Sequence, residues 1–222
     1  MTTKWTKEKI KEWAFSQKWY QSIHIIDDIV TSGNFDTALR LKLLDLGDLS
    51  GKSVLDVGCN SGLHCFEAKK HGAFEVTGID IREDRLYQAR ILSEIKDLKI
   101  DFKKLDILKI CELGQFDIVF CFSVVTEVPD LISSLLSLKK VTKETLFLEM
   151  AISPFPNIPW TITKNFKLRR ITGKCYLRKI RGHRWSLMPN MQFIKTLLGE
   201  KFKIIVLGKS SRYTMLRCDV KT

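Results

Sequence analysis

At 222 residues the chain is long enough to bury one α/β core and too short for two ordinary domains. Its longest apolar runs, 117–125 and 145–152, are strand-length and far below the roughly 20 residues of a membrane span, and the Lys-rich first ten residues lack a leader's apolar core, so a cytoplasmic protein without a transmembrane helix is expected. The formal net charge of +12 is concentrated: residues 150–199 hold ten Lys and Arg and not one Asp or Glu, which leaves the rest of the chain near neutral.

Residues 6–22 place Ile10, Trp13 and Ala14 at roughly helical spacing, which predicts an amphipathic helix ahead of the core. A turn-rich connector over 30–36 leads to a second helix over 36–46, capped near Asp36, and Leu49-Ser50-Gly51-Lys52 turns the chain into its first strand. Strand and helix patterns then alternate: strand 53–57, helix 62–71, strand 74–79, helix 82–95, strands 100–104 and 116–122, helix 129–141, strand 145–151. Alternation of this kind predicts a mostly parallel sheet with right-handed crossovers. After the basic window come a helix over 190–198 and strands over 202–208 and 213–220, close enough to form an antiparallel hairpin. The six cysteines, Cys59, Cys65, Cys111, Cys121, Cys175 and Cys218, include no C-x-x-C pair and read as buried structural thiols, with neither a disulfide framework nor a metal site.

The stretch Val54-Leu55-Asp56-Val57-Gly58-Cys59-Asn60-Ser61-Gly62, followed by a helix and by Val76-Thr77-Gly78-Ile79-Asp80, has the form of a nucleotide-binding βαβ unit. Its glycine spacing is not G-x-G-x-x-G, and Asp56, two residues ahead of the first glycine, would repel a pyrophosphate. A carboxylate there suits a cofactor with an ammonium group beside an adenosine, as in S-adenosyl-L-methionine (SAM). Ligands of such sheets sit at the carboxyl ends of the strands, here marked by Asp56, Asp80, Asp106, Ser123 and Glu149. Asp80, 24 residues after Asp56, stands where an acid meets ribose hydroxyls, and Asp106 could accept from the adenine amino group.

On these residues the stretch 49–151 resembles the class I SAM-dependent methyltransferases, with Gly58, Asn60 and Gly62 in the places of that family's glycine loop. The resemblance implies a Rossmann-like α/β fold, a mostly parallel seven-stranded sheet that accommodates the C-terminal antiparallel hairpin. It implies SAM as cofactor, with Asp56 toward the methionine ammonium, Asp80 on the ribose and Asp106 on the adenine; Ile81 and Ser123 complete the expected cofactor-binding set. A narrower resemblance, carried by Trp19-Tyr20-Gln21-Ser22-Ile23, Thr31-Ser32-Gly33-Asn34-Phe35-Asp36 and Leu49-Ser50-Gly51-Lys52, is to the branch containing the bacterial wobble-uridine tRNA carboxymethyltransferases. Where that branch has a Leu-Tyr-His type sequence, this chain reads Val124-Val125-Thr126-Glu127. An acid there would repel a carboxylated cofactor, so plain SAM is expected. The organisation that follows is an N-terminal helical extension, 1–48, covering the cofactor site, and a SAM-binding methyltransferase domain, 49–222, with a basic acceptor-binding insertion at 152–188.

Methyl transfer depends on an in-line nucleophile, with a general base where the acceptor is a hydroxyl or an acidic N–H. Glu127, Glu149 and Tyr20 are the catalytic candidates; helix capping is the competing reading of Glu127, and His64 reads more simply as a packed or capping histidine. The basic window interleaves Trp160, Phe166, Tyr176 and Trp185 with its cations, as an unpaired RNA segment requires. Trp160, Arg169, Arg170, Arg178, Lys179 and Arg184 are the acceptor-binding candidates. An anionic acceptor is expected, RNA and conceivably tRNA ahead of a small metabolite or a glycan or lipid precursor. An anionic membrane surface suits the same cations, and a non-catalytic RNA-binding module on this fold is the remaining alternative.

Overall fold

The computed structural model describes residues 5–33, 38–153, 175–179, 185–209 and 213–222, divided between two compact units, 1–106 and 107–222. The first unit begins with α1 (Lys7–Ser16). Thr6 caps it by accepting from the Lys9 N–H at 3.3 Å. The expected helix over 6–22 stops six residues early because two side chains satisfy its last carbonyls: Ser16 Oγ donates to Trp13 O at 2.8 Å, and the Trp19 indole folds back to donate to Ala14 O at 2.7 Å. The rings of Trp5, Trp13 and Trp19 then meet in series, the first pair tilted at 59° and the second edge-to-face at 83°, with centroids 5.9 and 5.4 Å apart.

Beyond the helix runs a short hairpin, β1 (His24–Ile26) and β2 (Ile29–Val30), turned at Asp27, which takes a positive φ of 43°. Thr31 ties it down, donating to Gln21 O and accepting from the Ile23 N–H, both at 2.7 Å. A Cβ at Gly33 would stand 2.1 Å from the Gln21 carbonyl carbon, so only glycine fits this crossing. Helix α2 (Ala38–Leu43) follows; the cap expected at Asp36 lies outside the described residues.

The core of the first unit is β3 (Ser53–Val57), α3 (Leu63–Lys70), β4 (Glu75–Asp80), α4 (Glu83–Ile95) and β5 (Asp101–Lys104). The strands pair parallel in the order β3-β4-β5, with Val54 beside Val76 and Asp56 beside Gly78. β3 and β4 are buried along nearly their whole length, as parallel strands covered on both faces are, whereas β5 buries only Phe102. A Cβ at Gly78 would lie 2.8 Å from both Cys65 Sγ and the Phe102 ring. Gly78→Ala should therefore overpack this layer, with a fall of about 5 °C or more in Tm by calorimetry.

The second unit opens with a 3₁₀ segment, Ile107–Leu113, then β6 (Phe116–Phe122), α5 (Leu131–Val141) and β7 (Thr142–Met150). Helix α5 starts two residues later than expected because Asp130 is its cap, accepting from the Ser133 N–H at 2.9 Å. Its inward face, Leu131, Leu135 and Leu138, keeps the helical period. Within the basic window, β8 (Cys175–Lys179) and β9 (Trp185–Pro189) form an antiparallel hairpin. Asn190 then caps α6 (Met191–Leu198), accepting from Phe193 N–H at 2.9 Å. The unit closes with β10 (Phe202–Lys209) and β11 (Thr214–Val220), paired antiparallel. Its strands run in the order β10-β11-β7-β6, with β6 and β7 parallel and β11 antiparallel to β7. The two units together carry the seven strands of the expected Rossmann-like α/β class, the C-terminal hairpin included. No helix among the described residues is long and apolar enough to cross a membrane.

Candidate functional site

The turn after β3 is built by backbone geometry. Gly58, Asn60 and Gly62 all take positive φ, 75°, 52° and 89°. Asparagine tolerates that region better than most residues, which accounts for its presence where glycine is commoner. Its Oδ1 accepts from the Ser61 N–H at 2.9 Å, holding the bend. The Gly58 and Cys59 N–H groups both donate to Ile79 O, at 2.8 and 2.9 Å, and so fasten the turn to the end of β4. A Cβ on Gly62 would press at 3.1 Å on the rings of Phe66 and Phe102.

Asp80, at the tip of β4, has one oxygen on each side of its task. Oδ2 accepts from the Asn60 N–H at 3.0 Å and Oδ1 from the Arg82 N–H at 2.9 Å. Each oxygen keeps a lone pair, enough to accept from a diol. Next to it Ile81 is 64% exposed, an apolar side chain left for a flat ring to cover. Asp106, past β5, is exposed.

Asp56 is placed differently. It is 1% exposed beneath the turn, with Cys65 Sγ donating to its Oδ2 at 3.4 Å and His64 Nδ1 4.0 Å from that oxygen. Burial pushes its carboxyl up to about 7, against the pull of the Cys65 hydrogen bond and of the Arg40 charge, and Asp80 adds to the rise. Burial holds His64 well below the usual imidazole range, so the imidazole is neutral and its approach to Asp56 is not an ion pair. Cys59, Cys65, Cys111, Cys121 and Cys218 are free thiols, Cys59 and Cys65 among the buried ones.

Three polar residues that the sequence did not single out complete this part of the molecule. Ser61 Oγ donates to Gln88 Oε1 at 2.8 Å; Gln88 Nε2 donates to Lys18 O at 3.2 Å, and Arg85 Nη1 to the same carbonyl at 2.6 Å. The signal available for Gln88 was an amide beside Leu86, Ala89 and Leu92, the buried face of α4. Two residues past Lys18, Tyr20 is 48% exposed.

The second unit holds the remaining candidates. Ser123 follows β6 with a φ of 60°; its N–H donates to Glu149 O at 2.9 Å and its hydroxyl to Glu149 Oε2 at 2.5 Å. Glu149 is thus a buried carboxylate with a hydroxyl donor on it. Glu127 is exposed, in a turn closed by its own N–H to Val124 O at 2.8 Å. The capping role belongs to Asp130, which leaves the Glu127 carboxylate clear of it. Trp160, Arg169, Arg170 and Arg184 lie outside the described residues, and Arg178 and Lys179 are described only as backbone of β8. No group of three potential metal ligands occurs among the described residues.

A glycine turn fastened to a parallel strand, an acid at the next strand tip and an exposed apolar residue after it lie together at the carboxyl ends of β3 and β4, where sheets of this kind place their ligands. The model of the methyltransferase domain family matches residues 48–185. The chain belongs to this methyltransferase family. It is 37% identical over 108 residues to the ubiquinone biosynthesis O-methyltransferase of Neisseria meningitidis serogroup C, 45% of each chain, so it spans less than half the length of that relative. It is 27% identical over 205 residues to the tRNA U34 carboxymethyltransferase of Campylobacter concisus, covering 86% of this chain and 62% of the relative. Among solved structures, the N-terminal domain of EvdMO1 with S-adenosylhomocysteine (SAH) bound superposes with a TM-score of 0.71 at 14% identity over the whole of both chains. Magnesium protoporphyrin IX methyltransferase from Synechocystis PCC 6803 with bound SAM does so with 0.58 at 19% identity, over 83% of this chain and 77% of that one. These two likenesses concern the fold.

Proposed function

We propose that the chain is a SAM-dependent methyltransferase acting on an anionic acceptor, with RNA, and tRNA within it, favoured. In this reading Asp80 holds the ribose hydroxyls, Ile81 and Asp106 attend the adenine, and the turn at Gly58, Asn60 and Gly62 leaves room for the methionine end above Asp56. Ser123 belongs to the same cofactor-binding set, and Glu127, Glu149 and Tyr20 stand as candidates for the base. The donor is plain SAM, because the exposed Glu127 carboxylate disfavours a second carboxylate nearby. SAM supplies an activated methyl group; the protein's contribution is to bind it, align an acceptor and take up a proton where the acceptor loses one. A cytoplasmic location is part of the same proposal.

The observation that carries the acceptor is the acid-free basic window at 150–199, with aromatic residues among its ten cations. The extent of similarity supports it: the tRNA-modifying relative matches over 205 residues, well beyond the nucleotide-binding core, whereas the ubiquinone relative matches over 108. The higher identity of that shorter match favours a second reading, methylation of a small metabolite. Incubation of a deproteinised cell extract with methyl-labelled SAM, with and without ribonuclease, separates the two. Ribonuclease-sensitive label in the macromolecular fraction is expected; label in small molecules alone would overturn the RNA acceptor. Reversing Arg169, Arg170, Arg178 and Lys179 to Glu should leave SAM affinity unchanged by calorimetry and abolish acceptor turnover. Surviving turnover would remove the window from the acceptor site. An RNA acceptor also brings a steep fall of affinity with salt, as each neutralised phosphate releases its counterions.

A further inference from the structure

Four hydrogen bonds connect the cofactor turn to a segment far away in the chain. Asp80 Oδ2 holds Asn60 N–H, Asn60 Oδ1 holds the Ser61 N–H, Ser61 Oγ donates to Gln88 Oε1, and Gln88 Nε2 donates to Lys18 O. Gln88 is the crossing point, 27 residues from Ser61 and 70 from Lys18, and only 4% exposed. Its amide has one workable orientation. Reversed, it would set its oxygen against the Lys18 carbonyl and its NH2 against Arg85 Nη1, which now donates to Oε1 at 3.1 Å. A buried network of this kind, with members holding one another in place, transmits a shift at one end to the other. At the far end, the indole of Trp19 is already pinned to Ala14 O. The Lys18 carbonyl also accepts from Arg85 Nη1 at 2.6 Å, and Arg85 in turn rests on Gln88 Oε1, so both holds on this carbonyl meet at Gln88.

We propose that Gln88 is a positioning residue through which occupation of the glycine turn sets the placement of the N-terminal segment 17–20, and with it Tyr20. The inference rests on SAM binding at Asp80 and the turn. A ligand whose ribose draws Asp80 and whose methionine end rests on the turn restrains Asn60 and Ser61; Gln88 passes that restraint to the Lys18 carbonyl. Donor binding then prepares the segment that presents Tyr20, so that the empty protein and the donor-bound protein offer different surfaces to an acceptor.

The test is amide hydrogen exchange of residues 17–33 in the full chain with and without SAH, alongside calorimetric SAH affinity. In the wild type SAH should slow exchange at 18–23 at least about tenfold. Gln88→Leu removes the acceptor shared by Ser61 and Arg85 as well as the donor to Lys18, so it cuts both routes to the Lys18 carbonyl; it should bind SAH with affinity within about threefold of wild type and lose the SAH-dependent slowing. Ser61→Ala, which cuts the network on the other side of Gln88, should lose it as well. A merely structural role would raise exchange equally with and without SAH. If Gln88→Leu binds SAH and retains the full SAH-dependent slowing, the inference is overturned while the cofactor site stands; if the wild type does not bind SAH, the cofactor reading itself fails.

Discussion

Asp80→Ala is expected to weaken SAM binding by about ten- to a hundredfold in calorimetry, with charge-assisted hydrogen bonds to the ribose worth about 1.5–3 kcal/mol each. The loss has two sources. The carboxylate is the proposed partner of the ribose diol, and it is also the acceptor for the Asn60 and Arg82 N–H groups, which alanine would leave without their present partner. Asp80→Asn does not separate the two: one amide oxygen can satisfy one N–H, while the NH2 faces the other, so the turn is disturbed and the charge is gone. Affinity for SAM in Asp80→Ala equal to wild type would remove this residue from the cofactor site.

The second large effect is on pH. The folded Asp56 carboxyl titrates at about 7 against an ordinary 3.8, so the fold favours the neutral acid. That stabilisation, about 4 kcal/mol where complete, is fully present below about pH 4, where the acid is neutral in both states, and is lost as pH rises through 7. A bound ammonium reverses the preference, because it favours the carboxylate. SAM affinity should therefore rise about fivefold from pH 6 to a maximum near pH 7.4 and fall again above pH 8, as the SAM ammonium, an α-amino group of pKa about 7.7–8.0, loses its own proton. About a third of a proton should be released per SAM bound at pH 7. Calorimetry in buffers of different ionisation enthalpy measures that release directly. Asp56→Asn should abolish the rise, weaken SAM binding at pH 8, and raise the Tm of the SAM-free protein at that pH. An affinity profile without that rise in the wild type would show that Asp56 stays in one protonation state throughout.

Much of this architecture could be read from local pattern. Strands 53–57 and 116–122 appear with the bounds expected, and the strand-tip acids could be found because a parallel sheet places its ligands where the strands end. What escaped depends on contacts distant in sequence or on competing local bonds. The first helix was read through to residue 22 because its apolar spacing continues, yet an indole five residues beyond Ala14 takes the carbonyl that another turn would have used. The β1–β2 hairpin turns on Asp27-Asp28 rather than on a glycine, so its five strand residues carried no turn signature. Likewise β8 and β9 were hidden in a window read for its charge. At the site, Asp56 was assigned from its strand position, which says nothing of burial; that follows from the close fit of Cys65 and His64 against it. The Ser61–Gln88–Lys18 connection has no periodicity to reveal it.

The aromatic series at the N-terminus also gives the protein an optical property. Its five tryptophans are Trp5, Trp13 and Trp19, then Trp160 and Trp185, and the nucleotide-binding core between them has none. Indole emission is thus silent about the glycine turn itself and comes from the two regions proposed to respond to donor and acceptor. With the first three rings within 6 Å of one another in sequence, excitation absorbed by any of them is shared, and a small displacement of Trp19 would alter the emission of all three. The unlabelled protein carries its own fluorescent reporter at each end of the reaction.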